Sequence, residues 1–318
     1  MKRIILAFFV AVFALSASAQ EMNIATFNVR CGAPRKSADA PRKGDYKKYN
    51  GWDDRKEYLC DMIQLEAFDI FGVQEARYPQ IEDMLARMPE YAYIGVGRDD
   101  GVQKGEHCAI FYQKKKFKVL DHGDFWFSET PDQPSYGWGA KYRRVCTWGL
   151  FQNKQTKEMF YLINTHVNWG ESSVKSANML IEFVNTKCTK TDNVIIMADF
   201  NATQESELYQ IITSNGFEDT YESSKYRFAP TGTGQGFRPY YFTLRRIDHI
   251  FVSKGIKSSR YGVLTYHYYR DMKADEKDME TAAPKEIKGE NRDIKCISDH
   301  YAVQSFITLK KSAKKSKK

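Results

Sequence analysis

Apolar positions along this chain recur at two spacings. In residues 53–67, Leu59, Met62, Ile63 and Ala67 fall at helical spacing. In residues 172–187, Val174, Ala177, Leu180, Ile181 and Val184 line one face, so both segments are predicted as amphipathic helices. Shorter helical patterns cover residues 80–88 and 205–213. Strand-like runs are predicted at residues 22–29, 91–96, 107–113, 117–122, 145–151, 158–166, 247–253, 261–266 and 302–309. Two further runs, residues 69–75 and 193–199, are almost continuously apolar and end in a carboxylate, as buried strands would. The unit of amphipathic helix, apolar strand and acid thus occurs twice, ending at Glu75 and at Asp199. That pattern suggests two similar halves whose sheets pack face to face with strand ends converging on one rim. Residues 226–241, rich in Gly, Pro and aromatics, are expected to be a surface loop, and the charged residues 273–291 a mobile one.

The first residues change the expected compartment. Lys2 and Arg3 precede an apolar run from Ile4 to Leu15, and Ala17-Ser18-Ala19 supplies small residues before Gln20. This is the pattern of a cleavable signal peptide over residues 1–19, cut near Ala19-Gln20, with export of the remainder. The run is too short for a span of about 20 residues, and no later stretch is a candidate, so no transmembrane segment is expected. No Pro/Gly/Ser-rich linker divides the rest, so residues 20–309 are expected to form one domain and a monomer. The tail, residues 310–318, holds six lysines and no acid and is expected to be a flexible, solvated end. Removing the leader's two basic residues and the tail's six takes Lys+Arg from 48 to 40, equal to the 40 acids. The net charge of +8 therefore resides at the ends, and a uniformly basic nucleic-acid-binding body is not implied. The six cysteines form no CxxC pair, which removes zinc and redox motifs; Cys60, Cys108 and Cys146 sit in apolar runs and are expected as buried free thiols.

Polar residues directly after apolar strands carry the chemistry. An unpaired carboxylate at such a place is costly, and metal ions or ligands offset the cost. Glu75, Asp199 with Asn201, Asp248, and Asp299 with His300 all occupy such positions, Asn28 lies in the first strand, and His166 ends another. Taken singly, each has an ordinary structural explanation as a cap or a hydrogen-bonded side chain. Together they are hard oxygen donors plus imidazoles without a thiolate cluster, a set that suits Mg2+, Mn2+ or Ca2+ better than zinc.

Six segments then resemble, in order, the motifs of the endonuclease/exonuclease/phosphatase family. They are Thr26-Phe27-Asn28-Val29-Arg30, Gly72-Val73-Gln74-Glu75, Asn164-Thr165-His166, Ala198-Asp199-Phe200-Asn201, Arg246-Ile247-Asp248-His249-Ile250 and Ser298-Asp299-His300. Phe125-Trp126-Phe127-Ser128-Glu129-Thr130-Pro131 and Arg144-Val145-Cys146-Thr147-Trp148 are similar to a secreted bacterial branch, and Asn164-Thr165-His166 followed by Trp169 is similar to a deadenylase branch. The resemblance implies an α/β fold, a four-layer sandwich of two face-to-face mixed β-sheets flanked by helices. It also implies a phosphoesterase in which water attacks in line. Glu75 would be the principal metal ligand, with Asn28 and Asp299 near the ion. Asp199, positioned by Asn201, would orient or deprotonate the water; His166, His300 and Asn201 would hold phosphate oxygens; Asp248 would fix the His300 tautomer. Tyr112, Asn168, Arg144 and Trp126 are the candidate substrate contacts. Asn168 stands where many members have Asp, and an amide cannot act as a base. His249, next to Asp248 on a strand, would face the opposite side and is expected to be structural. The substrate is left open among nucleic acid, inositol phosphate, phospholipid head group and sugar phosphate. The other class compatible with the residues is a non-catalytic binding protein on the same fold.

Overall fold

A computed structural model describes residues 20–32, 50–271 and 292–311. The expected leader, the charged segment 273–291 and the tail beyond Lys311 lie outside the described residues. Lys310, at the start of that tail, is tied to the body: its N–H donates to Asn193 Oδ1 at 2.9 Å and its carbonyl accepts from Asn193 Nδ2 at 3.0 Å.

Both helix–strand–acid units form, and they have the same architecture. Strand Glu21–Asn28 leads through helix Trp52–Glu66 to strand Ile70–Gln74, which pairs with it in parallel. Strand Met159–His166 leads through helix Glu171–Lys187 to strand Val194–Asp199, again in parallel. A parallel pair needs such a crossover, and the helix supplies it. Register puts Asn28 opposite Gln74 and His166 opposite Asp199, so the carboxyl ends of all four strands carry the polar residues. In α/β sheets that is where ligands bind.

These pairs are built into two mixed sheets. One has seven strands in the order Tyr226–Phe228, Lys257–Leu264, Ala302–Thr308, Glu21–Asn28, Ile70–Gln74, Ile110–Gln113, Tyr91–Ile94. The other has six: Phe217–Asp219, Asp248–Ser253, Val194–Asp199, Met159–His166, Val145–Asn153, Phe117–Trp126. Side chains alternate across each strand. Met22, Ile24, Ile195 and Met197 fill the space between the sheets. Ala25 and Phe27 pack instead with Leu59, Met62 and Ile63 of helix Trp52–Glu66, and Ile196 and Ala198 with Ala177, Leu180 and Ile181 of helix Glu171–Lys187. The result is helix, sheet, sheet, helix. Burial on both faces is why these strands are apolar throughout rather than alternating.

Near the rim, the sheets are joined by a buried polar bridge. Gln74 Nε2 donates to Thr26 Oγ1 at 2.9 Å and to Asn164 Oδ1 of the opposite sheet at 2.7 Å; Asn164 Nδ2 donates to the carbonyls of Val73 at 2.9 Å and Ala109 at 3.0 Å. Gly72 makes room for it, since a Cβ there would lie 2.6 Å from Asn164 Oδ1.

The sequence pattern missed the short edge strands Phe217–Asp219 and Tyr226–Phe228, the second within the expected surface loop, and the antiparallel hairpin of His267–Asp271 with Arg292–Cys296. Three residues are too few to show a period, and an edge strand is held by its partner's ladder rather than by its own apolar face. All six cysteines are free, and Cys60, Cys108 and Cys146 are buried as expected.

His249 is structural, as its position on the strand implied. Its Nδ1 lies 3.3 Å and Arg246 Nη1 2.6 Å from Asp219 Oδ2, all of them buried, and its Nε2 lies 2.9 Å from the Ala202 carbonyl. Burial opposes the Asp219 charge, but His249 and Arg246 hold its pKa down at about 2, from 3.8. A depressed carboxylate stabilises the fold above its unfolded pKa, by about 2 kcal/mol here, and that contribution fades as pH falls through the folded value. Asp219→Asn leaves the Arg246 charge buried without its partner, and denaturant unfolding at pH 7 should show a loss of about 3 kcal/mol. The loss should shrink towards pH 2.

Candidate active site

The strand ends form the floor of a cleft of about 400 Å³ lined by Glu75, His166, Asp199, Asn201, Asp299 and His300 together with Arg30, Arg77, Arg98 and Arg144. Beneath that floor lies Asn28, fully buried, whose Nδ2 donates to Asp199 Oδ2 at 2.9 Å and to Glu75 Oε1 at 3.2 Å. One amide thus ties the acid of the first half to the acid of the second. Asn28 is itself fixed, since its Oδ1 accepts from the Arg30 N–H at 3.0 Å and its carbonyl accepts from Ser298 Oγ at 2.7 Å.

Three residues at the rim adopt left-handed backbone: Arg30 at φ 58°, Glu75 at φ 63° and Asn201 at φ 51°. Such conformations are uncommon for residues other than glycine, and surrounding contacts must enforce them. For Arg30 the enforcing groups are identifiable. Arg55, fully buried, donates to the carbonyls of Val29 at 2.6 Å, Arg30 at 2.8 Å and Ile297 at 3.0 Å, and Gln80 Nε2 donates to Arg30 O at 3.0 Å.

Two of the histidines differ in charge. His300 Nδ1 donates to Asp248 Oδ2 at 2.8 Å, and His300 Nε2 lies 3.9 Å from Asp199 Oδ2. Burial disfavours the imidazolium, but the carboxylates of Asp248 and Asp199 outweigh it and hold the His300 pKa well above its usual value. For His166, burial and then the nearby Arg144 cation act in the same direction and keep the ring neutral. His166 Nε2 lies 3.2 Å from Asp199 Oδ2 and 2.9 Å from Asn201 Nδ2. Asn201 also donates from its backbone N–H to Asp199 Oδ1 at 2.9 Å and from Nδ2 to the Val167 carbonyl at 3.0 Å. Asp199, buried and beside Asp248, has its pKa pushed up to about 7.

The donors for a divalent cation lie on the other side of Asn28. Burial disfavours charge on Glu75, but the Arg30 guanidinium, the Cys31 N–H at 3.2 Å and the Asn28 amide hold its pKa below the usual carboxylate range. Arg30 Nη1 lies between Glu75 Oε2, at 3.6 Å, and Asp299 Oδ2, at 3.3 Å. A guanidinium between two carboxylates shows that this spot favours positive charge. Asn28 turns its Nδ2 to Glu75 and so orients it, and the two carboxylates are the oxygen donors that fit an Mg2+-, Mn2+- or Ca2+-like ion. Glu75 also groups with Cys31 and Glu106 closely enough to share an ion.

The proposed substrate contacts fare differently. Arg144 lines the cleft. Asn168 does not face it, but lies behind Arg144, accepting from its Nε at 3.1 Å and donating to the Tyr142 carbonyl at 3.1 Å. The strand stops at His166, so its alternation does not extend to Asn168. A neutral amide here leaves the Arg144 charge for a ligand. Asn168→Asp would pair with that charge, so KM should rise several-fold while kcat changes by less than about tenfold, as steady-state kinetics would show. Tyr112 is not at the site: antiparallel pairing sets it opposite Ile70, at the far end of the strand from Glu75, where its ring packs on Phe151 at 5.4 Å. Trp126 is not at the site either. It is buried with Cys108 and Val145 and donates from Nε1 to the Arg98 carbonyl at 2.8 Å, bracing the loop that carries Arg98.

That loop was missed. Arg98 pairs with Glu106 across a turn in which Asp100 Oδ1 accepts from the N–H groups of Val102 at 2.8 Å and Lys104 at 2.9 Å, and Arg144 Nη1 lies 3.8 Å from the same Glu106. The available signal was the Gly/Asp-rich stretch from Gly95 to Gly105, a mark of a built loop. Arg77, Tyr142 and Trp169, also at the cleft, carried no such signal.

A family model described as the endonuclease/exonuclease/phosphatase family matches residues 25–300. A mannosyl-6-phosphatase of Bacteroides thetaiotaomicron is 38% identical, with a TM-score of 0.80, over 91% of this chain and 100% of that one. An endonuclease/exonuclease/phosphatase family protein of the same organism is 37% identical, with a TM-score of 0.80, over 92% and 99%. A probable CCR4-Not complex 3'-5'-exoribonuclease subunit Ccr4 of Vairimorpha ceranae is 25% identical over 250 residues, 69% of this chain and 50% of that protein. The matches to the curated relatives span from 15% to 65% of those proteins' lengths.

Proposed function

The chain belongs to the endonuclease/exonuclease/phosphatase family, and from that premise we propose that it is an exported, divalent-metal-dependent phosphatase acting on a sugar phosphate. The observation that carries the hydrolytic reading is the Asp199 carboxylate, held between Asn28, His166 and His300 on the cleft floor. Asp199 Oδ2 is the acceptor for the attacking water's proton, and the backbone N–H of Asn201 holds the other oxygen so that Oδ2 faces the cleft. As the water oxygen bonds to phosphorus, the bond to the sugar oxygen breaks, and that oxygen leaves with the bonding pair and takes up a proton from solvent to give the free sugar hydroxyl. Charged His300, held in orientation by its hydrogen bond to Asp248, and the side chains of Asn201 and Arg144 take the phosphate oxygens. Such a reaction depends mainly on positioning and charge stabilisation. Glu75 and Asp299, with Asn28 orienting Glu75, would hold an Mg2+, Mn2+ or Ca2+ ion, which would supply Lewis-acid stabilisation.

The sugar-phosphate reading draws on the similarity to a mannosyl-6-phosphatase along nearly the whole chain, and on a compact, arginine-lined cleft in a body without net positive charge. Export draws on the leader pattern of residues 1–19. The test is phosphate release from mannose 6-phosphate at millimolar Mg2+, with and without chelator, beside an aryl phosphate monoester and a diester. Metal-dependent release from the monoesters is the expected result. No release from any ester would favour a binding protein that kept the fold, and cleavage of the diester alone would favour a nuclease-like enzyme.

A further inference from the structure

We propose that the part of the substrate beyond the phosphate is a neutral saccharide chain, which stacks on Trp169 and continues into a second groove beside the catalytic cleft. The proposal rests on the phosphatase reading only for which end carries the phosphate. Trp169 follows His166 by three residues, is 55% exposed, and meets Tyr142 edge-on with ring centroids 6.5 Å apart. Single exposed aromatics are ordinary. What sets Trp169 apart is that it lines both the cleft and a neighbouring cavity of about 770 Å³, which opens between the starts of helices Glu171–Lys187 and Glu207–Ser214. Asn201 is also shared by the two. Trp169 and Asn201 therefore form the boundary that a chain running from the cleft into the groove would cross.

The chemistry of the two cavities differs. The cleft sets Arg30, Arg77, Arg98 and Arg144 against Glu75, Glu106, Asp199 and Asp299, and a divalent cation held by its acids would tip it towards an anion. The groove balances Glu171 and Glu207 against Lys175 and Arg245, and Glu171 lies 3.0 Å from Lys175. A nucleic acid running this way would set further phosphates against two carboxylates, where polyanion binding needs cations to replace its counterions. A hydroxylated, uncharged chain meets no such penalty, since hydroxyl groups donate to carboxylates and accept from Lys and Arg. The indole face is weakly negative and takes the C–H face of a pyranose ring. The groove's volume falls in the roughly 300–1,000 Å³ range of small-molecule sites.

The test measures binding apart from turnover. Unphosphorylated mannotriose is titrated into the full chain by calorimetry, with a short oligoadenylate as the competing probe. Saturable mannotriose binding with Kd on the order of 1 mM is expected. Trp169→Ala should weaken it about tenfold and Trp169→Phe by less than about threefold, in line with the size of an aromatic contact. Val174→Trp, which fills the groove, should abolish it. Should that variant melt early, Glu207→Trp at an exposed position serves the same purpose. Absence of saturable binding overturns the proposal, as does binding indifferent to both Trp169→Ala and the groove-filling variant, or oligoadenylate binding in place of mannotriose. Mannotriose binding in a protein that releases no phosphate supports this site and refutes the phosphatase reading. Phosphate release without mannotriose binding does the reverse.

Discussion

Asp199→Asn is expected to lower kcat by about a thousandfold, within the range that loss of a general base produces. The substitution preserves shape. Its Oδ1 can still accept from the Asn201 N–H, which lies 2.9 Å away in the parent, so folding should survive. What it loses is the oxygen that takes the proton, because an amide cannot serve as a base. Among the described residues, no other cleft carboxylate lies within ion-pair distance of both His166 and His300, as Asp199 Oδ2 does at 3.2 and 3.9 Å. Asn168 cannot take over, being an amide bonded to Arg144. Steady-state phosphate release at one metal concentration, with circular dichroism as the folding control, gives the answer. A loss under tenfold, or a large gain from Asn168→Asp, would move the base away from Asp199.

Glu75→Gln is the second large effect. It should cost at least about a hundredfold in kcat, the lower end of what losing a strong electrostatic contact in an active site costs. Gln can accept from the Cys31 N–H as Glu does at 3.2 Å, but it removes one of the two carboxylates that flank Arg30. A divalent ion must displace or share that guanidinium's place, and with one charge fewer it binds more weakly. Thermal melting supplies a readout apart from turnover. Ligand that binds only the folded state at tenfold its Kd stabilises by about 1.4 kcal/mol. Millimolar Mg2+ or Mn2+ should therefore raise the melting temperature of the parent and leave that of Glu75→Gln nearly unchanged. Full activity after exhaustive chelation would remove the metal from the argument altogether.

Much of this molecule is already written in its sequence, because the determining physics is local. Helical spacing in residues 53–67 and 172–187, each followed by an apolar strand closing on an acid, specifies two parallel β-helix-β crossovers; Glu75 and Asp199 sit at their carboxyl ends because the runs stop there. Asn28, His166, Asn201, Asp248 and His300 were legible for the same reason, as polar residues within or at the ends of apolar strands. Alternation along a strand also separated Asp248, behind His300, from His249, in the Asp219–Arg246 cluster.

The tertiary structure alone decided what depends on chain segments far apart. No local pattern brings the loop carrying Arg98 and Glu106 against Arg144, or turns Asn168 to hold that arginine rather than a phosphate. The same holds for Arg30, whose guanidinium bridges Glu75 and Asp299 only because buried Arg55 fastens segments more than 200 residues apart. Tyr112 marks the limit from the other side. The family resemblance suggested a contact with phosphate, but antiparallel register sets it at the end of the strand away from the cleft. Periodicity fixes which face a side chain takes. Which end of the sheet it reaches is set by strand pairing, and which charges share a cleft by loop packing, and both are non-local.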